Sequence, residues 1–159
     1  MLHIRYNISK EIIGETLNQV VFPQSMESLK VGRVTFTHAD IQSVVEDFYT
    51  QIQFDPQLEV PFRSVHDWPE HINRLTHFWW IRFGGQPYLF NQYNPVLKHF
   101  FAGFNDELLT RWLLLFRKSL QNKLSEEQTS LWGSITEKMG QSLSMRNEEF
   151  RKDYKSRLP

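Results

Sequence analysis

A series of helix starts punctuates this chain and restricts its fold more than any other feature. Thr37 opens the first clear one: its hydroxyl can cap, and Asp40 sits three residues later as an acidic first-turn partner. Ile41, Val44, Val45, Phe48 and Ile52 then recur at steps of three and four, the spacing of one helix face. Asp55-Pro56 stops this helix near Phe54, because the residue before a proline avoids helical geometry. After a connector containing Pro61, a second helix is predicted from about Asp67, with Pro69 tolerated in its first turn. It runs through His71, Leu75, Phe78 and Trp79 to about Phe83, and Gly84-Gly85 ends it. Asn94-Pro95 starts a short helix that closes near Gly103. Asn105 or Asp106 caps the next, which carries Leu108, Leu109, Trp112, Leu113, Leu115 and Phe116. Ser125, followed by Glu126 and Glu127, opens the last, with Leu131, Trp132, Ile135, Met139 and Leu143 as its apolar stripe. No segment gives a clear strand alternation, and no repeat is visible. The expected class is all-α, with five or six helices.

Residues 1–36 read differently. An amphipathic helix is expected over Ser9 to Phe22, with Ile12, Ile13, Leu17, Val20 and Val21 near helical spacing, and Pro23 breaks it. Gln24 to Phe36 has no clear period. The expected organisation is therefore an N-terminal extension, 1–36, and one helical domain, 37–157. A chain of 159 residues is long enough for this and too short for two full domains.

Composition excludes several functions. Lys plus Arg and Asp plus Glu are both 18, so the formal net charge is zero, which argues against a nucleic-acid binder. There are no cysteines, so disulfides, thiolate metal sites and cysteine nucleophiles are ruled out. No apolar run approaches the roughly 20 residues of a membrane helix, and charges run through the first residues, where an export signal would be apolar. A cytoplasmic, membrane-free protein is expected. Aromatic residues make up 14%, many of them between Phe48 and Phe116. So much flat apolar surface serves either a large core or a pocket for a flat ligand.

The usual catalytic signatures are missing: no Gly-rich phosphate loop, no G-x-S-x-G and no H-E-x-x-H. His71 and His77 are six apart, so on one helix they point to different sides and cannot share a metal. Glu46 and Asp47 are adjacent and read as a solvated helix edge. A different constellation stands out. Tyr49 lies on the first helix. His71, Arg74, Leu75 and Phe78 share one face of the second. Lys98-His99 falls just inside the Asn94-Pro95 helix, and Trp112 lies on the next. Taken singly, His99 also reads as a satisfied histidine, and Tyr49 and Trp112 as core aromatics.

Taken in order, the motifs resemble those of the truncated haemoglobins, group III, over about Thr37 to Leu120. The resemblance is carried by Asp47-Phe48-Tyr49 with Asp55-Pro56, by Pro61-Phe62, and by Trp68-Pro69-Glu70-His71. It continues with Phe78-Trp79, Asn94-Pro95-Val96-Leu97-Lys98-His99 and Arg111-Trp112-Leu113-Leu114-Leu115-Phe116. It implies a two-over-two helical sandwich around haem b, iron protoporphyrin IX. It further implies that His99 ligates the iron and that Tyr49, His71 and Trp112 surround the ligand on the distal side. Phe48, Phe62, Leu75, Phe78 and Trp112 would form haem-packing walls, and Arg74 and Lys98 would face the propionates. Three departures from the family pattern are the N-terminal extension, a bulky stretch with Tyr88, Phe90 and Tyr93, and Phe100-Phe101 after His99.

The resemblance implies binding of dioxygen and other diatomics at ferrous iron, with a reductase as electron donor. Tyr49 and Trp112 are hydrogen-bond donors, and such bonds to a charged ligand are worth roughly 1.5–3 kcal/mol each. That slows release, so nitric oxide or peroxide turnover is expected over oxygen transport. The enzymatic expectations are nitric oxide dioxygenase-like or peroxidase-like. The alternative from another class is a haem-free or haem-sensing interaction module.

Overall fold

The computed structural model describes residues 22–89 and 105–157. The expected helices over Ser9 to Phe22 and from Asn94-Pro95 lie outside the described residues, except for Phe22. Four helices are described: α1 (His38–Phe54), α2 (Trp68–Arg82), α3 (Asp106–Lys123) and α4 (Glu126–Ser156).

Each helix begins where its sequence signal stands. Thr37 caps α1 in a reciprocal pair: its hydroxyl accepts from the Asp40 N–H at 3.0 Å, and Asp40 Oδ2 accepts from the Thr37 N–H at 2.9 Å. Asp67 caps α2, with Pro69 in its first turn. Between Asn105 and Asp106, Asn105 is the cap of α3, its side chain accepting from the Leu108 N–H at 2.9 Å. Ser125 and Gln128 form a second reciprocal cap at α4. α4 runs 31 residues, well past the apolar stripe that ends at Leu143.

One feature departs from the expected all-helical layout. Ser28–Val31 (β1) and Val34–Thr37 (β2) pair as an antiparallel hairpin, with Val31 opposite Val34 and Leu29 opposite Phe36. Gly32 supplies the turn with φ 62°, a left-handed conformation that glycine takes without a Cβ clash. Strands of four residues hold too few alternations to show a period, so the sequence pattern alone did not reveal them. The hairpin is not an appendage: Phe36 is fully buried. Gln128 at the start of α4 donates to Thr35 O at 2.9 Å and to Asp40 Oδ2 at 3.3 Å, tying hairpin, α1 and α4 together.

α1 packs on α2 and α3, α3 packs on α4, and β2 closes over α1 and α4. The core between them is aromatic. Trp132 and Phe36 meet edge-on at 5.7 Å, Phe36 stacks on Phe83 at 4.8 Å, and Trp79 stacks on Phe116 at 5.7 Å. Of the two uses that the aromatic content left open, a large core is therefore one.

Candidate functional site

A small cavity, partly open to solvent and with a volume of about 40 Å³, lies between α1, α2, α3 and α4. α1 contributes Val45, Phe48 and Tyr49; α2 contributes Leu75, Phe78 and Trp79. α3 adds Leu109, Trp112 and Phe116, and α4 closes the wall with Met139 and Leu143 among others. The structure thus brings Phe48, Tyr49, Leu75, Phe78 and Trp112 to one cavity. The rings interlock: Phe48 meets Tyr49 and Trp112 edge-on, each at 4.9 Å, and Trp112 stacks on Phe116 at 5.0 Å with an interplanar angle of 3°. Such offset and edge contacts fix ring orientation.

His71 and Phe62 stand at the edge of this wall, beyond Tyr49. The His71 imidazole meets the Tyr49 ring edge-on at 4.7 Å, and Phe62 lies 5.9 Å from Tyr49. Trp68 joins this group, 5.9 Å from Tyr49 and 5.7 Å from His71. Arg74 is close by on α2, its Nη2 paired with Glu70 at 2.7 Å, while its Nε is buried without a hydrogen-bond partner among the described residues. Lys98 and His99 lie outside the described residues.

The Trp112 indole N–H is buried and has no hydrogen-bond partner among the described residues. Leaving such a donor unpaired is unfavourable by about 1–3 kcal/mol. The Trp132 indole N–H also lacks a partner among the described residues, but it lies in the core, away from the cavity. Of these two indoles, Trp112 lines the cavity and Trp132 does not. Flat apolar walls, a phenol and an unpaired N–H fit a haem with a small electronegative ligand. Among the described residues no cluster of three or more His, Asp or Glu side chains could hold a metal alone.

The connector that brings Phe62 to the cavity edge is clamped at its start. Asp55 is 5% exposed. Its Oδ2 accepts from Arg111 Nε at 2.9 Å and Nη2 at 2.6 Å, and its Oδ1 accepts from the Gln57 and Leu58 N–H groups, both at 3.1 Å. Burial raises the Asp55 pKa, but the Arg111 hydrogen bond, the two backbone N–H bonds and the Arg111 charge outweigh it, and the carboxyl lies below its ordinary value. Arg111 precedes Trp112, so the same clamp ties the connector to the helix that carries that indole.

A second set of bonds holds the chain after α2. Buried His77 Nε2 accepts the backbone N–H groups of Tyr88 at 3.1 Å and Leu89 at 3.2 Å, so the ring is neutral with its proton on Nδ1. His38 Nε2 and the Tyr88 hydroxyl lie 2.8 Å apart. Burial lowers the His77 pKa. For His38, burial lowers the pKa, Glu27 opposes this and His77 adds to it, with a net lowering. Burial raises that of Tyr88. The bulky Tyr88 is therefore a docking residue of this loop. His77 and His71 point to different sides of α2, as their spacing requires.

Several cavity residues carried a weaker sequence signal. Val45 was legible as the position four before Tyr49. Met139 and Leu143 are four apart on the last stripe, and nothing distinguished them there from core. Trp68 sits inside a matched motif, yet its place against His71 depends on side-chain packing.

The sequence profile of the family described as bacterial-like globin matches residues 33–143. A group III truncated hemoglobin from Campylobacter jejuni has a similar structure, with a TM-score of 0.63 at 22% identity over 69% of this chain and 89% of that one. The hemoglobin of the thermophilic phototroph Chloroflexus aurantiacus aligns with a TM-score of 0.57 at 20% identity, over 67% of this chain and 90% of its own. A group II 2-on-2 hemoglobin from the plant pathogen Agrobacterium tumefaciens gives 0.58 at 15%, over 67% and 87%. No curated protein matches the sequence.

Proposed function

Because this chain belongs to the bacterial-like, truncated globin family, we propose that it holds haem b in the cavity, with His99 as the iron ligand. In this reading it is of the group III type and binds dioxygen and other diatomic ligands. It acts in the cytoplasm, receives electrons from a reductase, and turns over nitric oxide or peroxide in preference to carrying oxygen. The observation that carries it is the buried Trp112 N–H on the cavity wall, without a hydrogen-bond partner among the described residues.

Haem, when bound, supplies the iron at which a diatomic ligand is held. The protein supplies the rest. Phe48, Leu75, Phe78 and Trp112 provide an apolar slot. Phe62, at the cavity edge, extends it. Arg74, now paired with Glu70, would hold a propionate, with Lys98 as the second cation. Trp112 would donate its N–H to the ligand, and Tyr49 its hydroxyl from the adjacent wall. Two donors on one small ligand slow its release, which suits chemistry on the ligand more than delivery.

The test is absorbance of the purified protein, or of the haem-free chain titrated with haem. A Soret band that His99→Ala abolishes supports the reading. No Soret band under either condition favours the haem-free interaction module instead.

A further inference from the structure

His71 is enclosed by rings. Tyr49, Trp68 and Phe62 approach its imidazole at centroid distances of 4.7, 5.7 and 6.3 Å, each nearly perpendicular to it. Trp68 and Phe62 face each other at 6.5 Å and 26°. The site chemistry described above has no use for Trp68.

Trp68 nevertheless has a rigid base. It is the first residue of α2, between the Asp67 cap and Pro69. Asp67 Oδ1 accepts from the Glu70 N–H at 3.0 Å, and Asp67 O accepts from the His71 N–H at 3.0 Å. Trp68 lies three residues before His71, on the same face of the helix. Helical side chains lean toward the N-terminus, onto the residues three and four before them. A His71 ring leaving the pocket for solvent therefore passes over Trp68. Trp68 is only half-buried, so it stands at the rim and not in the core.

We propose that Trp68 is a positioning residue for His71: its indole holds the imidazole turned toward Tyr49 and so sets how readily a diatomic ligand reaches the cavity. This rests on the reading of the cavity as a haem site.

The test is carbon monoxide association with the ferrous holoprotein after laser photolysis. Trp68→Ala raises the association rate about threefold to tenfold, the factor that one aromatic contact sets. Trp68→Phe, which keeps a ring, stays within about twofold of wild type. In a His71→Leu background, Trp68→Ala adds nothing, because the indole acts only through the imidazole. Equal acceleration in both backgrounds, or none in the wild-type background, overturns the proposal. If Trp68→Ala fails to fold, Trp68→Leu takes its place with the same two outcomes.

A second readout does not depend on haem. The imidazole C–H resonances of His71 are recorded on the carbon monoxide form, or on the chain as purified if it carries no haem. Trp68→Ala moves them by removing the indole ring current, and Trp68→Phe moves them less. Resonances that do not move overturn the contact itself, whereas a missing Soret band overturns only the haem reading.

Discussion

Two side chains on different helices, Tyr49 and Trp112, share one wall through Phe48, and this gives the first residue-scale prediction. Tyr49→Phe and Trp112→Phe should each speed dioxygen dissociation by about tenfold or more, since a hydrogen bond to a charged ligand is worth roughly 1.5–3 kcal/mol. In the proposed reading both donors address one ligand, so the double variant should fall short of the product of the two effects. Stopped-flow dissociation rates on the three variants decide it; a full product would mean independent roles. A second residue-scale case is Gly85. A Cβ built there overlaps the Trp80 indole ring, and Trp80 is 1% exposed with no room to yield. Gly85→Ala should therefore lower stability by about 1–3 kcal/mol, read from the urea midpoint.

At the scale of elements, the connector between α1 and α2 depends on one buried carboxylate. Asp55 accepts four hydrogen bonds, two from Arg111 and two from its own turn. The Arg111 side chain is 36% exposed, so solvent screens part of the pair. Asp55→Ala should lower stability by about 2–3 kcal/mol, below the range for a fully buried pair. Because the same connector carries Phe62, the variant should also lose haem faster to an acceptor protein. Loss of stability with an unchanged haem-loss rate would separate the clamp from the site. The hairpin is the opposite case in terms of legibility. Leu29, Val31, Val34 and Phe36 do alternate with outward residues, but each strand offers only two inward positions. The first helix was legible because its face extends over Ile41, Val44, Val45, Phe48 and Ile52 and its start carries the Thr37–Asp40 pair.

For the whole molecule, two histidines with lowered pKa couple stability to pH. His77 accepts two backbone N–H groups at one nitrogen, so a proton there would face two donors. Its folded pKa, and that of His38, lie below the ordinary value, because of burial first. The unfolded chain therefore takes up protons first as pH falls through about 6.5. Stability from these groups is complete above that value and declines below it, by at most about 1.4 kcal/mol per pH unit for each histidine. The urea midpoint should drop between about pH 7.5 and about pH 5.5, and His77→Gln should flatten the drop. An equal drop in the variant would place the dependence elsewhere. Asp55 acts in the same direction at lower pH: its stabilisation is present above about 3.8 and is lost as pH falls through its lowered folded value.

The sequence by itself determined the four described helices, because capping, proline placement and apolar spacing are local and repeat over many residues. Through an ordered set of short motifs it also named Phe48, Tyr49, Leu75, Phe78 and Trp112, five of the thirteen residues that line one cavity. Only the tertiary structure decided that Phe36 completes the core through a hairpin, that Asp55 and Arg111 meet across 56 positions of sequence, and that Tyr88 docks on His38 and His77. It also placed Trp68 against His71. These contacts depend on which side chains fill one volume once the helices have packed. Such packing is a property of the assembled molecule, and no local period or spacing encodes it.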